Sequence, residues 1–234
     1  MAENLVIQGV SDPSPFLEHL ARLTGCTSYC RIDDRPAFRF HNGHINTTLQ
    51  EFCIKQQLDC ASLPAGLNLA HFGLAAFDMD STLIANECID ELAELAGVRA
   101  QIAPLTESAM RGEIDFESSF RQRIALLRGL PAASLHQVYE QKLQLNPGAE
   151  YMIKELQRHG LKTMLITSGF EFFAERLKTR LGLDEAVYNR IEINDGHFTG
   201  KISGTLVDSE GKANALEDSR TALGLGREQV IAIG

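Results

Sequence analysis

Two aspartates separated by a single residue end an apolar segment in the first half of the chain. Asp78 and Asp80 follow the run Phe72–Phe77, and the hydroxyls of Ser81 and Thr82 come directly after them. A short apolar run bounded by polar residues is typical of a buried parallel strand, and open α/β sheets bind ligands where such strands end. The sequence therefore predicts a functional site that begins at Asp78.

The two carboxylates indicate the chemistry of this site. Because they repel each other and lose hydration at a strand end, we expect a divalent cation bound through oxygen, with Mg²⁺ as the first inference. The carboxylate of Asp78 can act as a nucleophile and form an aspartyl-phosphate. A neighbouring acid that the repulsion keeps protonated can donate a proton to the leaving oxygen and then accept one from water. The same residues are also typical of a turn and a helix cap, but the preceding strand favours the site.

A later strand ends in groups that suit a phosphate. The predicted strand Lys162–Thr167 is followed by Ser168 and Gly169 and then by a helix predicted over Phe170–Leu181. A hydroxyl and open backbone amides between a strand and a helix form an anion site, although an ordinary turn has the same composition.

A further helix is predicted to begin at Lys212. Since a lysine at a helix start opposes the helix dipole, it indicates an anionic site beneath it, the alternative being a solvated surface lysine.

The composition is that of a globular protein. The 234 residues, 44% of them hydrophobic, suffice for one large domain or two modest ones. A net charge of −9 argues against a nucleic-acid surface, which needs clustered Lys and Arg. The N-terminus lacks the basic start and apolar core of a signal peptide, no apolar run reaches membrane length, and five irregularly spaced cysteines favour reduced thiols. We expect a cytoplasmic protein that binds neither nucleic acid nor membranes; the pattern indicates no oligomeric state.

Residues 1–70 are predicted to form a small N-terminal α/β domain of unknown role. Its predicted elements are a strand at Leu5–Val10, a helix at Ser14–Leu23, a strand at Ala37–Phe40 and a linker at Ser62–Gly66. The unit also carries two cysteines and two histidines of the types that bind zinc: Cys26, Cys30, His41 and His44. Because the histidine pair is one residue tighter than the usual spacing, buried thiols and loop histidines are the favoured interpretation.

The interval between the first two strands of the second domain is predicted to be helical. Apolar periodicity predicts helices over Ile89–Ala96, Asp115–Leu127 and Leu135–Leu143, and another from Pro147 to Gly160. This interval is too long for a simple crossover, so we predict a cap inserted at about 85–145. Beyond it, strands are predicted at Ala186–Ile193, at His197–Leu206 after a turn at 194–196, and at Val230–Gly234.

Three segments resemble the motifs of the haloacid-dehalogenase-like phosphatases, and most closely the phosphoserine phosphatases among them. They read FDMDSTLIANECIDELAELAG, ITSGFEFFAERL and GKANAL, and the similarity extends over about Leu63–Gly234. The resemblance implies an α/β fold, a Rossmann-like three-layer parallel sheet over residues 71–234, with the helical cap inserted into it. It also implies Mg²⁺-dependent hydrolysis of O-phospho-L-serine, the last step of serine biosynthesis.

The resemblance also implies a role for each matching residue. Asp78 takes the place of the nucleophile and a magnesium ligand, and Asp80 that of the general acid and base, which offers its backbone carbonyl to the metal. Lys212 takes the place of the lysine that holds the nucleophile and the phosphate together. Thr167 matches the phosphate-binding hydroxyl and Gly169 the tight turn. At Ser168 the family usually has glycine, so we expect that side chain to point away from the phosphate.

In the cap, the resemblance implies the contacts with the rest of the substrate. Glu87 would receive its ammonium group and Arg123 its carboxylate, while Met110 and Phe116 would close the pocket. Without the resemblance, a glutamate and an arginine on helices are usually solvated.

The sequence departs from the family at its last strand, VIAIG. There the family continues into a loop of the form Asp-Gly-x-x-Asn-Asp, whose acids complete the magnesium site. We therefore expect weaker cation binding by Asp78 and Asp80 and an exposed sheet edge. The alternatives are a phosphatase or phosphotransferase for another small phosphomonoester and a non-catalytic, truncated binding protein.

Overall fold

The computed structural model describes residues 3–9 and 12–234. The chain separates into two compact units, Met1–Asn68 and Leu69–Gly234. Val10, predicted to end the first strand, lies outside the described residues. Of the helices in the described ranges, none has the length and apolarity needed to cross a membrane.

The first unit is a four-stranded antiparallel sheet with two helices. Its elements are β1 (Glu3–Gly9), α1 (Leu17–Thr24), β2 (Ser28–Arg31), β3 (Ala37–His41), α2 (Thr47–Gln56) and β4 (Leu58–Pro64). The strand order β2-β3-β1-β4 and the βαββαβ succession are those of a ferredoxin-like unit. Alternate residues of the strands, such as Leu5 and Phe40, form the core together with Leu20 and Leu49 of the helices.

Two predictions for this unit need correction. The predicted linker Ser62–Gly66 begins inside β4, because Ser62, Leu63 and Pro64 pair with β1. Residues 62–66 read SLPAG, which has no alternation of apolar and polar residues and contains Pro64, so this part of β4 does not have the sequence pattern of a strand. The favoured interpretation as buried thiols and loop histidines is also wrong for two of the four residues, because Cys30 is exposed and His41 lies in β3. No group of three or more potential metal ligands lies together among residues 3–9 and 12–234. Cys30 Sγ and His41 Nε2 are 3.6 Å apart as an isolated pair.

The second unit contains a five-stranded sheet in the order β8-β7-β6-β5-β9. Its strands are β5 (Leu74–Phe77), β6 (Lys162–Phe170), β7 (Glu185–Asn194), β8 (His197–Ser203) and β9 (Val230–Ile233). Strands β9, β5, β6 and β7 are parallel, and β8 returns antiparallel to β7. The turn between β7 and β8 has positive φ at Asp195 (48°) and Gly196 (73°), the conformation that suits a tight hairpin.

Helices cover both faces of this sheet, which gives the predicted three layers. The remaining helices of the core are α7 (Ala149–Arg158), α8 (Glu171–Leu181) and α9 (Ser209–Ala222), numbered after the four cap helices given below. Because side chains alternate along β5, Ala75 and Phe77 pack against the larger core, which includes α7 and α8. Leu74 and Ala76 face the opposite side, where Leu216 of α9 packs.

The cap lies between β5 and β6. It consists of α3 (Cys88–Leu95), α4 (Arg99–Met110), α5 (Phe116–Leu126) and α6 (Ala133–Gln141). Its two ends are joined, since Ile84 bridges Leu145 and Ala85 N donates a 2.8 Å hydrogen bond to Gln144 O. The sequence did not single out α4, which contains Pro104 and buries only Ile102.

Candidate active site

Asp78 lies directly after β5, as predicted, at the carboxyl end of the sheet. Its backbone N–H donates to Ile233 O at 2.9 Å, which extends the pairing of β5 with β9 by one residue. Both carboxylate oxygens accept hydrogen bonds: Oδ1 from Met79 N and Oδ2 from Lys212 Nζ, each at 2.7 Å. The side chains of Asp78 and Lys212 are 33% and 28% exposed, so this ion pair faces the cavity rather than the core.

Helix α9 brings Lys212 to the nucleophile candidate. Asp208 caps the helix, its Oδ1 accepting from Gly211 N at 2.8 Å, and its carbonyl accepts from Lys212 N at 2.8 Å. The helix therefore begins at Ser209 and not at Lys212 as predicted, but the lysine still lies near the helix start, where the dipole disfavours a cation. The ion pair with Asp78 offsets that cost, so Asp78 is the anionic group that the position of Lys212 predicted.

Asp80 is held under the first turn of the cap. Its Oδ1 accepts a 2.8 Å hydrogen bond from Cys88 N, the first residue of α3. Burial raises the pKa of Asp80 to about 6, with smaller contributions from the charges of Glu87 and Asp78, while the hydrogen bonds from Cys88 act in the opposite sense. A carboxyl group with a pKa near 6 can hold or release a proton close to neutral pH, as a general acid and base must.

The irregular turn at residues 167–169, within the last part of β6, fits tightly against the aspartates. Thr167 is 1% exposed, and its Oγ1 accepts from Gly169 N at 2.8 Å. A Cβ atom at Gly169 would lie 2.6 Å from Met79 Cε and 2.9 Å from Asp80 Oδ2. A larger residue at position 169 would therefore displace the side chains of Met79 and Asp80. Ser168, at the position where the family usually has glycine, lines the same cavity.

The cap contributes an acid and a buried arginine. Glu87 precedes α3, and its Oε1 accepts from Ser81 Oγ at 2.6 Å. Arg123 is 9% exposed, and its guanidinium lies 5.5 Å from the ring centre of Phe120. Its Nη1 is 3.5 Å from Thr106 Oγ1, and within the described ranges its Nε has no hydrogen-bond partner. Burial lowers the pKa of Arg123, while the charges of Asp90 and Glu87 oppose the shift.

These groups surround one cavity of about 240 Å³. Its lining residues are Asp78, Asp80, Glu87, Cys88, Ile89, Phe116, Phe120, Arg123, Thr167, Ser168, Gly169, Phe170, Ser209 and Lys212. All the predicted site residues line it except Met110. That residue ends α4 and is 84% exposed, because the helix directs it to solvent before the turn at Gly112. The prediction for Met110 is therefore wrong for this structure.

Several lining residues had no signal as site residues in the sequence. Phe120 lies one helical turn after Phe116 in α5, and the structure stacks the two rings with their centres 5.6 Å apart. Cys88 and Ser209 are the first residues of α3 and α9, and neither belongs to a sequence pattern that indicates a site. Only the fold places them at the cavity.

The donor set of the cavity fits a hard divalent cation. Asp78 provides carboxylate oxygens at the cavity, and the resemblance assigns the backbone carbonyl of Asp80 as a further oxygen donor. No third acidic, histidine or cysteine ligand joins them among the residues that the structure describes. Mg²⁺ characteristically retains several water ligands, so the two aspartates suit this ion better than one that needs a cage of protein atoms.

A parallel sheet with an aspartate and lysine pair at its carboxyl end and a helical cap is the arrangement of a capped hydrolase with a Rossmann-like core. Residues 75–234 match the family model described as haloacid dehalogenase-like hydrolase. The chain belongs to this family.

Relatives of the chain carry a more specific name. It is 45% identical over 173 residues to a phosphoserine phosphatase of Polaromonas sp., covering 72% of this chain and 73% of the relative. A crystal structure of a probable phosphoserine phosphatase from Vibrio cholerae matches 99% of this chain and 72% of that one, with 32% identity and a TM-score of 0.80. A phospho-aspartyl intermediate analogue of phosphoserine phosphatase matches 69% of this chain and 77% of that one, with 36% identity and a TM-score of 0.65. The chain spans only 46% and 56% of the length of two other curated relatives.

Proposed function

We propose that the chain is a Mg²⁺-dependent phosphatase that hydrolyses O-phospho-L-serine to L-serine and phosphate, the last step of serine biosynthesis. The observation that carries the substrate assignment is Arg123, a buried guanidinium whose Nε has no hydrogen-bond partner among the residues that the structure describes. It lies at the wall of a cavity that also contains the Asp78 and Lys212 pair. A buried, incompletely paired guanidinium is costly unless a ligand completes it. A carboxylate is the ligand whose geometry matches its planar fork.

The phosphoryl group would bind on the core side of the cavity. Asp78 would attack phosphorus to form an aspartyl-phosphate, while the ammonium of Lys212 and the hydroxyl and amides of the turn at Thr167 balance the charge on the phosphoryl oxygens. Asp80 would protonate the departing serine oxygen and then accept a proton from the water that hydrolyses the intermediate. Mg²⁺ held by Asp78 and Asp80 would supply further charge neutralisation at the transferring group.

The serine part of the substrate would bind on the cap side. Arg123 would receive the α-carboxylate and Glu87 the ammonium group, the two groups that a phosphorylated amino acid has and most other small phosphomonoesters lack. Both residues line the cavity that contains Asp78. Phe116 and Phe120 form an apolar wall beside them, which excludes water and strengthens both charge interactions.

The proposal extends to the compartment. The described cysteines Cys26, Cys30, Cys53, Cys60 and Cys88 are all free thiols. Unpaired thiols in this number are typical of a reducing environment, which supports the cytoplasm as the site of action.

The test is phosphate release from O-phospho-L-serine with Mg²⁺ and with a chelator, compared with O-phosphoethanolamine and with the deaminated analogue of phosphoserine. The first analogue lacks the carboxylate and the second lacks the ammonium group. We expect metal-dependent turnover, with kcat/KM highest for phosphoserine. Equal kcat/KM for all three compounds would favour a broader phosphomonoesterase. Phosphoserine binding without phosphate release in Mg²⁺ would favour a non-catalytic binding protein.

A further inference from the structure

Strands β6 and β7 lose their regular pairing where the phosphate-binding turn forms. Ile166 pairs with Val187, and the next pair is Phe170 with Asn189. Three residues of β6, numbers 167–169, therefore face a single residue of β7. This irregularity lets the turn bulge toward the cavity, but it also removes the backbone groups of the turn from the regular hydrogen-bond ladder.

The side chain of Asn189 replaces part of the lost ladder. It is 1% exposed, and its Nδ2 donates to Ser168 O at 2.9 Å. The same Nδ2 donates to Val207 O at 3.1 Å, and Oδ1 accepts from Val207 N at 2.7 Å. One buried amide thus satisfies a carbonyl of the turn and both backbone groups of a segment that lies 18 residues later in the chain.

Val207 leads directly into the start of α9. Its neighbour Asp208 caps the helix, and the carbonyl of Asp208 accepts from Lys212 N at 2.8 Å. Lys212 Nζ in turn reaches Asp78. The amide of Asn189 is therefore the shared support of two separate anion-binding parts of the cavity, the turn at Thr167 and the helix that carries Lys212.

We propose that Asn189 is a positioning residue for phosphate binding and phosphoryl transfer, because it fixes the distance between the turn at Ser168 and the start of α9. This inference rests on the proposed function and deepens it. Asn189 does not line the cavity, so it acts through the segments it holds. A displacement of about 1 Å between groups that contact one phosphate can reduce the rate by about 100-fold.

The test compares Asn189→Ala and Asn189→Asp with a matched control, Gln157→Ala. Alanine removes all three hydrogen bonds, and aspartate keeps an acceptor for Val207 N but faces Ser168 O and Val207 O with a carboxylate. Gln157 also supports β6 through its side-chain amide, donating to Gly182 O at 2.8 Å and Thr163 Oγ1 at 3.2 Å, but at the opposite end of the strand. The probe is inorganic phosphate, titrated calorimetrically in Mg²⁺, together with kcat/KM for phosphoserine and O-phosphoethanolamine.

We expect both Asn189 variants to weaken phosphate binding about tenfold or more, and to lower kcat/KM by a similar factor for both substrates, since the substrates share only the phosphate. Gln157→Ala should stay within about twofold of the wild type in both readouts. Wild-type phosphate affinity in Asn189→Ala, an equal loss in Gln157→Ala, or no phosphate binding by the wild-type chain would overturn the inference. If phosphate binds in an Asn189-dependent way but phosphoserine is not hydrolysed, the proposed function fails and the positioning role stands.

Discussion

The two sides of the cavity differ in how completely their polar groups are paired. On the core side, both oxygens of Asp78 accept hydrogen bonds, and Thr167 Oγ1 accepts one from Gly169 N. On the cap side, Arg123 has one long contact with Thr106 and an Nε that lacks a partner within the described ranges. The core side is organised before a ligand binds, whereas the cap side leaves a charged group for the ligand to complete.

This difference separates chemistry from selectivity. Groups that are already oriented need no reorganisation when charge develops on a phosphoryl group, which is the condition for strong electrostatic stabilisation. A buried cation that lacks a full set of acceptors instead discriminates between ligands, because only a ligand with a matching anion removes the cost of leaving it unpaired. Variants of the two sides should therefore fail in different ways.

The largest effect is expected for Asp78→Asn. An amide is a far weaker nucleophile than a carboxylate and does not balance the charge of Lys212, so we expect phosphate release to fall by at least about 10⁴-fold for every substrate. The measurement is phosphate release in Mg²⁺ at saturating substrate. A thermal melt establishes that the variant is folded. Undiminished phosphate release from a folded variant would exclude Asp78 as the nucleophile.

Lys212→Met should give the next largest loss. It removes the cation whose Nζ lies 2.7 Å from Asp78 Oδ2, and loss of one such stabilising group typically costs about 10²–10³-fold in kcat. The loss should be the same for phosphoserine and for O-phosphoethanolamine, because Lys212 serves the shared phosphate. Lys154→Met is the matched control, since Lys154 pairs with Glu150 on an exposed helix face. Equal kcat values in the two variants would contradict the role of Lys212.

The residues of the core side could be identified from the sequence because they follow strands. An apolar run that ends before Asp78 and another that leads to Thr167 predict the sheet edge at which both lie. The structure confirms the end of β5 at Phe77, whereas β6 runs on to Phe170 and only its regular pairing with β7 breaks after Ile166. Lys212 was recognisable because a cation near a helix start needs a local anion. For these residues, the position relative to a strand end or a helix start is enough to predict that they lie at the site.

The residues that were missed depend on packing between distant segments. Asn189 lies inside a strand, where one amide has no periodic signal, and its role exists only because β6 bulges opposite it. Met110 was misplaced because its exposure depends on how α4 ends, which the resemblance does not specify. The catalytic and binding roles of the lining residues remain predictions, and the variants described here test them.

Burial of the charged carboxyl group of Asp80 on the core side should lower the stability of the protein at neutral pH. The pKa of Asp80 rises from 3.8 to about 6 on folding, chiefly through burial. Between these values the folded state binds more protons than the unfolded state, so this group lowers the free energy of unfolding as pH rises from about 4 to about 6. Asp80→Asn, which has no charge to bury, should therefore be more stable than the wild type at pH 7.5 by up to about 3 kcal/mol.

The measurement for Asp80→Asn is urea unfolding of both proteins in chelator at pH 4 and at pH 7.5. The advantage of the variant should be much smaller at pH 4, where the carboxyl group of the wild type is largely protonated when folded. Added Mg²⁺ should stabilise both proteins at pH 7.5, since both keep the carboxylate of Asp78 and the backbone carbonyl at position 80. An advantage of the same size at both pH values would show that burial of the Asp80 charge is not its cause.

The smallest and most selective effect is expected on the cap side, for Arg123→Met. Loss of a charge-assisted contact with the substrate carboxylate costs about 1.5–3 kcal/mol, which corresponds to about 10- to 150-fold in kcat/KM for phosphoserine. O-phosphoethanolamine has no carboxylate, so its kcat/KM should change little. Arg121→Met is the matched control, because Arg121 lies on the same helix and pairs with Glu117 at the surface. An equal loss of kcat/KM for both substrates would mean that Arg123 stabilises the cap and does not bind the substrate carboxylate. The cap side would then not determine substrate selectivity, and the proposed difference between the two sides of the cavity would be wrong.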